Sequence, residues 1–182
     1  MRSTLKSIGT LFLLLLYESL VFFVFLLKSN AMELTPSKLN FFLFFKLPAA
    51  FWCGVRVKQI DPFQCVATVK HRWFNQNPFH SMYFAVQAMA AELTTGALVM
   101  YQIKKSGRNI SMLVANNKGN FTKKAVGRIT FTCNEGQLIT QAIQQTISSG
   151  EGQTFWMKAI GMDESGVQVS EMDFEWSIKV KD

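Results

Sequence analysis

The sequence predicts an α+β fold in which about six antiparallel strands wrap around one buried helix. Three observations lead there: apolar residues alternate with polar ones at several places, one long apolar segment lacks a wide polar stripe, and the composition is too apolar to leave in water. The chain has 182 residues and a mass of 20.7 kDa, with 49% hydrophobic residues, 17% charged residues and 17 Phe. That content excludes a mainly disordered or coiled-coil protein, and the length suits one domain of about 150 residues with an N-terminal appendage.

The appendage comes first. Between Leu11 and Leu27, fourteen of seventeen residues are Leu, Phe or Val, interrupted by Tyr17, Glu18 and Ser19 and flanked by Arg2, Lys6 and Lys28. Hydropathy alone makes residues 8–27 a signal anchor or an uncleaved signal peptide, because about fourteen favourable insertions outweigh one carboxylate. The composition changes at Met32, after the small residues Ser29, Asn30 and Ala31, which also fit a tag-removal scar. The expectation is an apolar segment over residues 1–31 and a functional domain over 32–182, cytoplasmic if it starts at Met32 and membrane-anchored if Ile8 to Leu27 is retained.

The elements of the domain follow in order. Lys38 to Phe45, ending at Pro48, reads as a short helix over one edge of the core, with Phe41, Phe42, Phe44 and Phe45 expected in that core. Gly54 to Ile60 is a plausible strand, and Gln64 to Lys70 a clear one, with Cys65, Ala67 and Val69 on one face. Ser81 to Ile103 is the enclosed helix. Asn109 to Asn116 and Gln153 to Met162 are further strands. In Arg128 to Cys133, Ile129, Phe131 and Cys133 alternate with Arg128, Thr130 and Thr132. Gln137 to Ser148, between Gly136 and Gly150, has the helical spacing of an inserted surface helix. Met172, Phe174, Trp176, Ile178 and Val180 form one face of a last strand, and the shift of phase between Val169 and Met172 suits a bulge.

Charge is divided along the chain. Residues 1–55 carry five Lys/Arg against two acids, residues 56–130 eleven against two, and residues 131–182 three against eight. A basic middle third can face nucleic acid, an anionic membrane or a phosphorylated small ligand. With no run of basic residues and no nucleic-acid signature, nucleic acid is not expected. Three Cys, at 53, 65 and 133, lack metal-ligand spacing, and no metal or redox cofactor is expected.

Glu92 is the residue that calls for chemistry. From Trp73 to Ile103 it is the only formally charged side chain apart from a possible charge on His80. A carboxylate in an apolar setting costs several kcal/mol when ionised, so it is paired, hydrogen-bonded or shifted upward in pKa. It serves either as a structural group at the rim of the sheet or as a general base or nucleophile lining a pocket.

These residues carry a resemblance. The stretch HRWFNQNPFHSMYFAVQAMAAELTTG (His71 to Gly96) and the downstream SMLVANNKGNFTKKAVGRITFTC resemble the hot-dog thioesterase superfamily. More narrowly they resemble a bacterial DUF4442-like hot-dog group related to phenylacetic-acid-pathway-type thioesterases. The resemblance implies a hot-dog domain, a homodimer that could pair into a tetramer, and hydrolysis of acyl-CoA or a related thioester, with coenzyme A entering only as part of the substrate. In that thioesterase type an Asn before the helix and an acid within it stand fifteen positions apart, as Asn77 and Glu92 do. By analogy Glu92 would activate water or attack the thioester, and Asn77 would orient the water or the acyl carbonyl, the resemblance implying that Asn77 of one subunit meets Glu92 of the other.

The resemblance also implies an oxyanion hole from the backbone N–H groups of Met82, Tyr83 and Phe84. It assigns substrate contacts to His80 and Ser81, and places Asn116, Asn117, Lys118, Lys123 and Lys124, after a central strand, at the coenzyme A portion. The family's His-Gly-Gly at the helix start is replaced here by Tyr83, Phe84 and Ala85. That departure leaves a second reading open, an acyl-thioester or fatty-acyl binder without catalysis.

Overall fold

The computed structural model describes residues 34–181, so the apolar N-terminal segment lies outside the described residues. Thr35 caps helix α1 (Pro36–Lys46), its side chain accepting from the Lys38 N–H at 3.3 Å, and Pro36 takes a first position that needs no N–H. A second short helix, α2 (Pro48–Trp52), follows. Asn40 ties α1 to the sheet: its Nδ2 donates to the Val57 carbonyl and its Oδ1 accepts from the Val57 N–H, both at 2.9 Å.

Leu39 and Leu43, one helical turn apart, are the residues α1 buries. The four Phe expected in the core are not in it. Phe42 is 36% exposed and Phe45 60%, with Phe41 and Phe44 between them, because they occupy the other sides of the turn.

Six antiparallel strands form one sheet in the order β1-β2-β4-β5-β6-β3. They are β1 (Arg56–Ile60), β2 (Cys65–Lys70), β3 (Ile110–Phe121), β4 (Arg128–Cys133), β5 (Gln153–Met162) and β6 (Gln168–Val180). The alternating residues face inward as predicted: Ile129, Phe131 and Cys133, then Met172, Phe174, Trp176 and Ile178, are all buried. The phase shift is a bulge. Gly161 pairs with Ser170 and Met162 with Gln168, which leaves Val169 as the extra residue. Gly161 is required there, since a Cβ would lie 2.6 Å from the Phe131 ring.

Helix α3 (Phe84–Ser106) lies against all six strands and ends at Gly107, whose φ of 66° is the left-handed cap that glycine supplies. It starts three residues later than the hydrophobic pattern suggested. Met82 bridges Gln76 and donates its N–H to the Ala125 carbonyl at 2.8 Å, which keeps this stretch extended. Helix α4 (Gly136–Ser149) sits between β4 and β5 in sequence and ends at Gly150, as its glycine boundaries predict.

Helix and sheet meet closely at Gly96. A Cβ there would lie 3.0 Å from the Trp176 ring, which is buried and donates its Nε1–H to Thr95 Oγ1 at 3.0 Å. Because that hydrogen bond and the surrounding core hold the indole, Gly96→Ala is expected to cost about 1–3 kcal/mol by overpacking. The measurement is the melting temperature; an unchanged value would mean that the ring moves aside freely.

Candidate functional site

The loop before α3 is built by two asparagines. Asn75, buried, donates from Nδ2 to the carbonyls of Cys53 and Lys70, both at 2.9 Å, and accepts from the Arg72 N–H at 2.8 Å. Asn77 Oδ1 accepts from the Phe79 N–H at 2.9 Å, and its Nδ2 donates to Ser81 Oγ at 3.1 Å. Between them the chain turns through His80, whose φ of 57° is left-handed. His80 is exposed, while Ser81 is buried under the turn.

A cavity of about 520 Å³ opens beside this loop, lined by Asn77, Ser81, Met82, Tyr83, Phe84, Lys123 and Lys124 together with Phe79, Gln87 and Phe121. Seven of the residues singled out in the sequence therefore share one cavity. His80 does not line it.

The backbone donors at its wall differ from the expected set. Met82 spends its N–H on Ala125 and Tyr83 spends its own on the Asn75 carbonyl at 2.9 Å, whereas Phe84 and Ala85, the first two residues of α3, have no acceptor among the described residues. The donors free for an incoming oxyanion are thus Phe84 and Ala85, at the positive end of the helix.

Gln87 was missed by sequence reading. It is 4% exposed, its Nε2 reaches the Met82 carbonyl only at 3.5 Å, and its Oε1 has no partner although it lines the cavity. The signal was present: a polar side chain between Val86 and Ala88 in an apolar segment. It carries no charge, and so it was read as part of the helix.

Glu92 lines a different cavity. This one holds about 240 Å³ between α3 and the α1–α2 segment, with Lys46, Leu47, Pro48, Ala49, Ala50, Met89 and Leu93 as its other walls. Among the described residues the Glu92 carboxylate makes no ion pair and accepts no hydrogen bond, and burial pushes its carboxyl pKa up. Gly96 leaves it room, since Glu92 Oε1 is 3.3 Å from where a Cβ would stand. Within one chain, Asn77 and Glu92 line separate cavities.

The basic residues divide as well. Asn116, Asn117 and Lys118 lie within the edge strand β3 and not after a central strand, because β3 runs on to Phe121. Asn116 donates to Glu175 at 2.6 Å, and Lys118 stands 4.5 Å from the Trp156 ring centroid on the outer face. Lys123 pairs with Asp163 at 2.9 Å and Lys124 donates to the Phe79 carbonyl at 3.2 Å. Hydrogen bonds from Ser165 and Lys123 hold Asp163 well below the usual carboxylate range. All three cysteines are free, and Cys65 faces Cys133 across β2 and β4 with both thiols pushed up to about 12 by burial. Among the described residues no three His, Cys, Asp or Glu side chains gather as a metal site.

Residues 38–178 match the family model described as a domain of unknown function, DUF4442. The chain belongs to the DUF4442 family. Its hot-dog fold is shared by solved structures of low sequence identity. A Pseudomonas aeruginosa protein described as a probable thioesterase is 21% identical, with 82% of this chain and 99% of that one covered and a TM-score of 0.68. A Chlorobaculum tepidum protein of unknown function is 15% identical over 84% of this chain and 100% of that one, with a TM-score of 0.71. A thioesterase from Haemophilus influenzae is 12% identical over 81% and 92%, with a TM-score of 0.62. No curated protein matches the DUF4442 chain.

The unpartnered carboxylate makes a stability prediction with a definite sign. Glu92 is raised above its unfolded value, so its contribution to stability is full below the ordinary Glu pKa and is lost as pH rises through the folded pKa. Glu92→Gln removes that loss. The variant is expected to melt higher than the wild type at pH 8, with the gap closing toward pH 4.5; a gap that widens on acidification would contradict a part-buried, unpaired carboxylate.

Proposed function

We propose that this DUF4442 protein is an acyl-thioester hydrolase acting on acyl-CoA or a related thioester. The observation that carries the reading is Glu92: a carboxylate without a partner, facing a cavity, in the middle of a helix whose neighbours are apolar. A fold gains nothing from such a group, whereas a base raised toward neutral pH is what water activation needs. The thioesterase descriptions of structural neighbours point the same way.

In the proposed reaction the Glu92 carboxylate takes a proton from water as the oxygen attacks the thioester carbonyl. Negative charge gathers on the carbonyl oxygen, where the free N–H groups of Phe84 and Ala85 and the helix dipole favour it. The C–S bond then breaks, and the sulfur leaves as the thiol after taking the proton back from Glu92, which restores the carboxylate. Asn77 orients the water or the carbonyl. Lys123 and Lys124, on the wall of the larger cavity, suit the phosphates of coenzyme A, exchanging Asp163 and the Phe79 carbonyl for them.

This chemistry needs two copies of the chain. One chain keeps Asn77 and Glu92 in separate cavities, while β3 leaves one side of a twelve-residue strand unpaired and Phe79, Tyr83 and Phe84 stand exposed on the wall of the larger cavity. A homodimer would cover that surface and bring Asn77 of one subunit to Glu92 of the other. The bulk of Tyr83 and Phe84 at the helix start favours the second reading, an acyl-thioester binder without turnover.

Glu92→Gln is expected to lower kcat/KM on acyl-CoA substrates by about 10² to 10⁴ with folding retained. The acid limb of the wild-type pH profile is expected above the ordinary carboxylate range. Tight binding with no turnover across short, long and aromatic acyl-CoAs would instead establish the binder. For the composite site, Asn77→Ala and Glu92→Gln proteins, each inactive, are expected to recover about a quarter of wild-type activity after co-refolding, because half of the random dimers carry one intact site. No recovery would rule out a site shared between subunits.

A further inference from the structure

Gln87 has no part in the proposed hydrolysis, and the fold leaves it with an unmet requirement. Its side chain is 4% exposed, in the first turn of α3. The amide nitrogen faces the Met82 carbonyl across 3.5 Å, which makes Nε2 the donor and leaves Oε1 buried without a partner among the described residues. That carbonyl also receives Asn77 Nδ2 at 3.5 Å, so the contact is shared as well as long. A buried amide oxygen without a donor destabilises the fold that carries it, and Met would fill the same space without that cost.

Gln87 lines the cavity of about 520 Å³, and four polar side chains on the same cavity spend their donors elsewhere. Ser81 donates to Asn77 Oδ1 at 3.3 Å, Thr122 to the Gln168 carbonyl at 3.0 Å, Lys123 to Asp163 and Lys124 to the Phe79 carbonyl. The long Met82 contact restrains the Gln87 amide weakly and the last torsion of a glutamine is soft, so a ligand's donor can draw Oε1 to the cavity. The start of α3 therefore offers two kinds of group: the N–H donors of Phe84 and Ala85, and an acceptor three residues beyond Phe84 on the same side, about 4.5 Å along the axis. A ligand whose carbonyl oxygen rests on those N–H groups meets the acceptor about one helical turn further on. An acyl-thioester can carry a donor at that distance in two places: the amide N–H of a pantetheine arm, a few bonds beyond the sulfur, or a hydroxyl near the carbonyl on the acyl chain.

We propose that Gln87 is a specificity-determining residue whose Oε1 accepts a hydrogen bond from an N–H or O–H donor that the thioester carries close to its carbonyl. The inference rests on the acyl-thioester reading of the larger cavity and deepens it by naming a substrate class: thioesters with such a donor are preferred to thioesters without one. Gln87 moves no proton in the reaction. Its discrimination comes from the oxygen it buries, because a ligand lacking the donor leaves that oxygen unsatisfied and a ligand bearing it does not.

The test is equilibrium binding of ketone analogues, in which a methylene between sulfur and carbonyl prevents hydrolysis, to the full chain as wild type and as Gln87→Met. The probes are S-(2-oxoheptyl) coenzyme A, the same compound methylated on its cysteamine amide nitrogen, and S-(4-hydroxy-2-oxoheptyl) coenzyme A. Without ligand, Gln87→Met is expected to melt as high as the wild type or higher. With an amide N–H as the donor, the variant binds the parent ketone about 3- to 10-fold more weakly, and methylation costs the wild type that same factor and the variant nothing. With a chain hydroxyl as the donor, the parent binds both proteins alike and the added hydroxyl gains about that factor in the wild type alone. A wild-type-to-variant ratio that is the same for all three probes overturns the proposal, and a lower melting temperature in the variant would then assign Gln87 to packing. A uniform ratio with binding intact removes this inference alone. Failure of every probe to bind the wild type removes the acyl-thioester reading and this inference with it.

Discussion

A helix enclosed by a sheet has to account for every polar group it carries, and this constraint organises the molecule. Helix α3 touches each strand, so its side chains are small where the sheet comes close and polar only where a partner or a cavity exists. Gly96 lets Trp176 reach the helix, and Thr95 accepts from the indole N–H while donating its own O–H to the Glu92 backbone carbonyl at 2.9 Å. Thr94 does the same toward the Ala91 carbonyl at 2.7 Å. Against that background of settled groups, Gln87 Oε1 is buried without a partner and the part-buried Glu92 carboxylate has no ion pair among the described residues, and both side chains face cavities.

The same enclosure explains why the candidate groups sit at the ends and sides of α3. Its first turn leaves the N–H groups of Phe84 and Ala85 without an acceptor among the described residues, and Phe84 lines the larger cavity. Backbone pairing of Met82 with Ala125 and of Tyr83 with Asn75 fixes where that turn lies. Asn77 is a turn builder as much as a candidate catalytic group. Its two polar atoms hold Phe79 and Ser81, so any role toward substrate must be compatible with those bonds.

The open edge β3 and the closed edge β1 give the molecule two distinct sides. On the β3 side the outer half of the strand is solvent-facing, and Asn116 and Lys118 are engaged with Glu175 and Trp156 across the sheet's outer face. On the β1 side α1 covers the sheet through Leu39, Leu43 and Asn40. A dimer through one edge leaves the other free, and the division of cavities follows this division of sides.

Much of the fold was legible because period and punctuation are local properties. The alternation in Arg128 to Cys133 and Met172 to Val180, the glycine at Gly150 and the phase shift at Val169 each reflect a backbone requirement that neighbouring residues record. The solitary acid at Glu92 was legible for the same reason: burying charge is costly whatever the surroundings. What the chain order could not supply was which face of an apolar helix meets the sheet, which N–H groups are already spent, and which strand ends at an edge. The four Phe of α1 looked like core and are surface, since Leu39 and Leu43 are the residues that α1 buries; Asn117 and Lys118 looked like the segment after a central strand and lie within an edge strand. Those answers depend on partners such as Ala125, Val57 and β6 that lie far away in sequence, and only the folded arrangement brings them within hydrogen-bonding and packing distance.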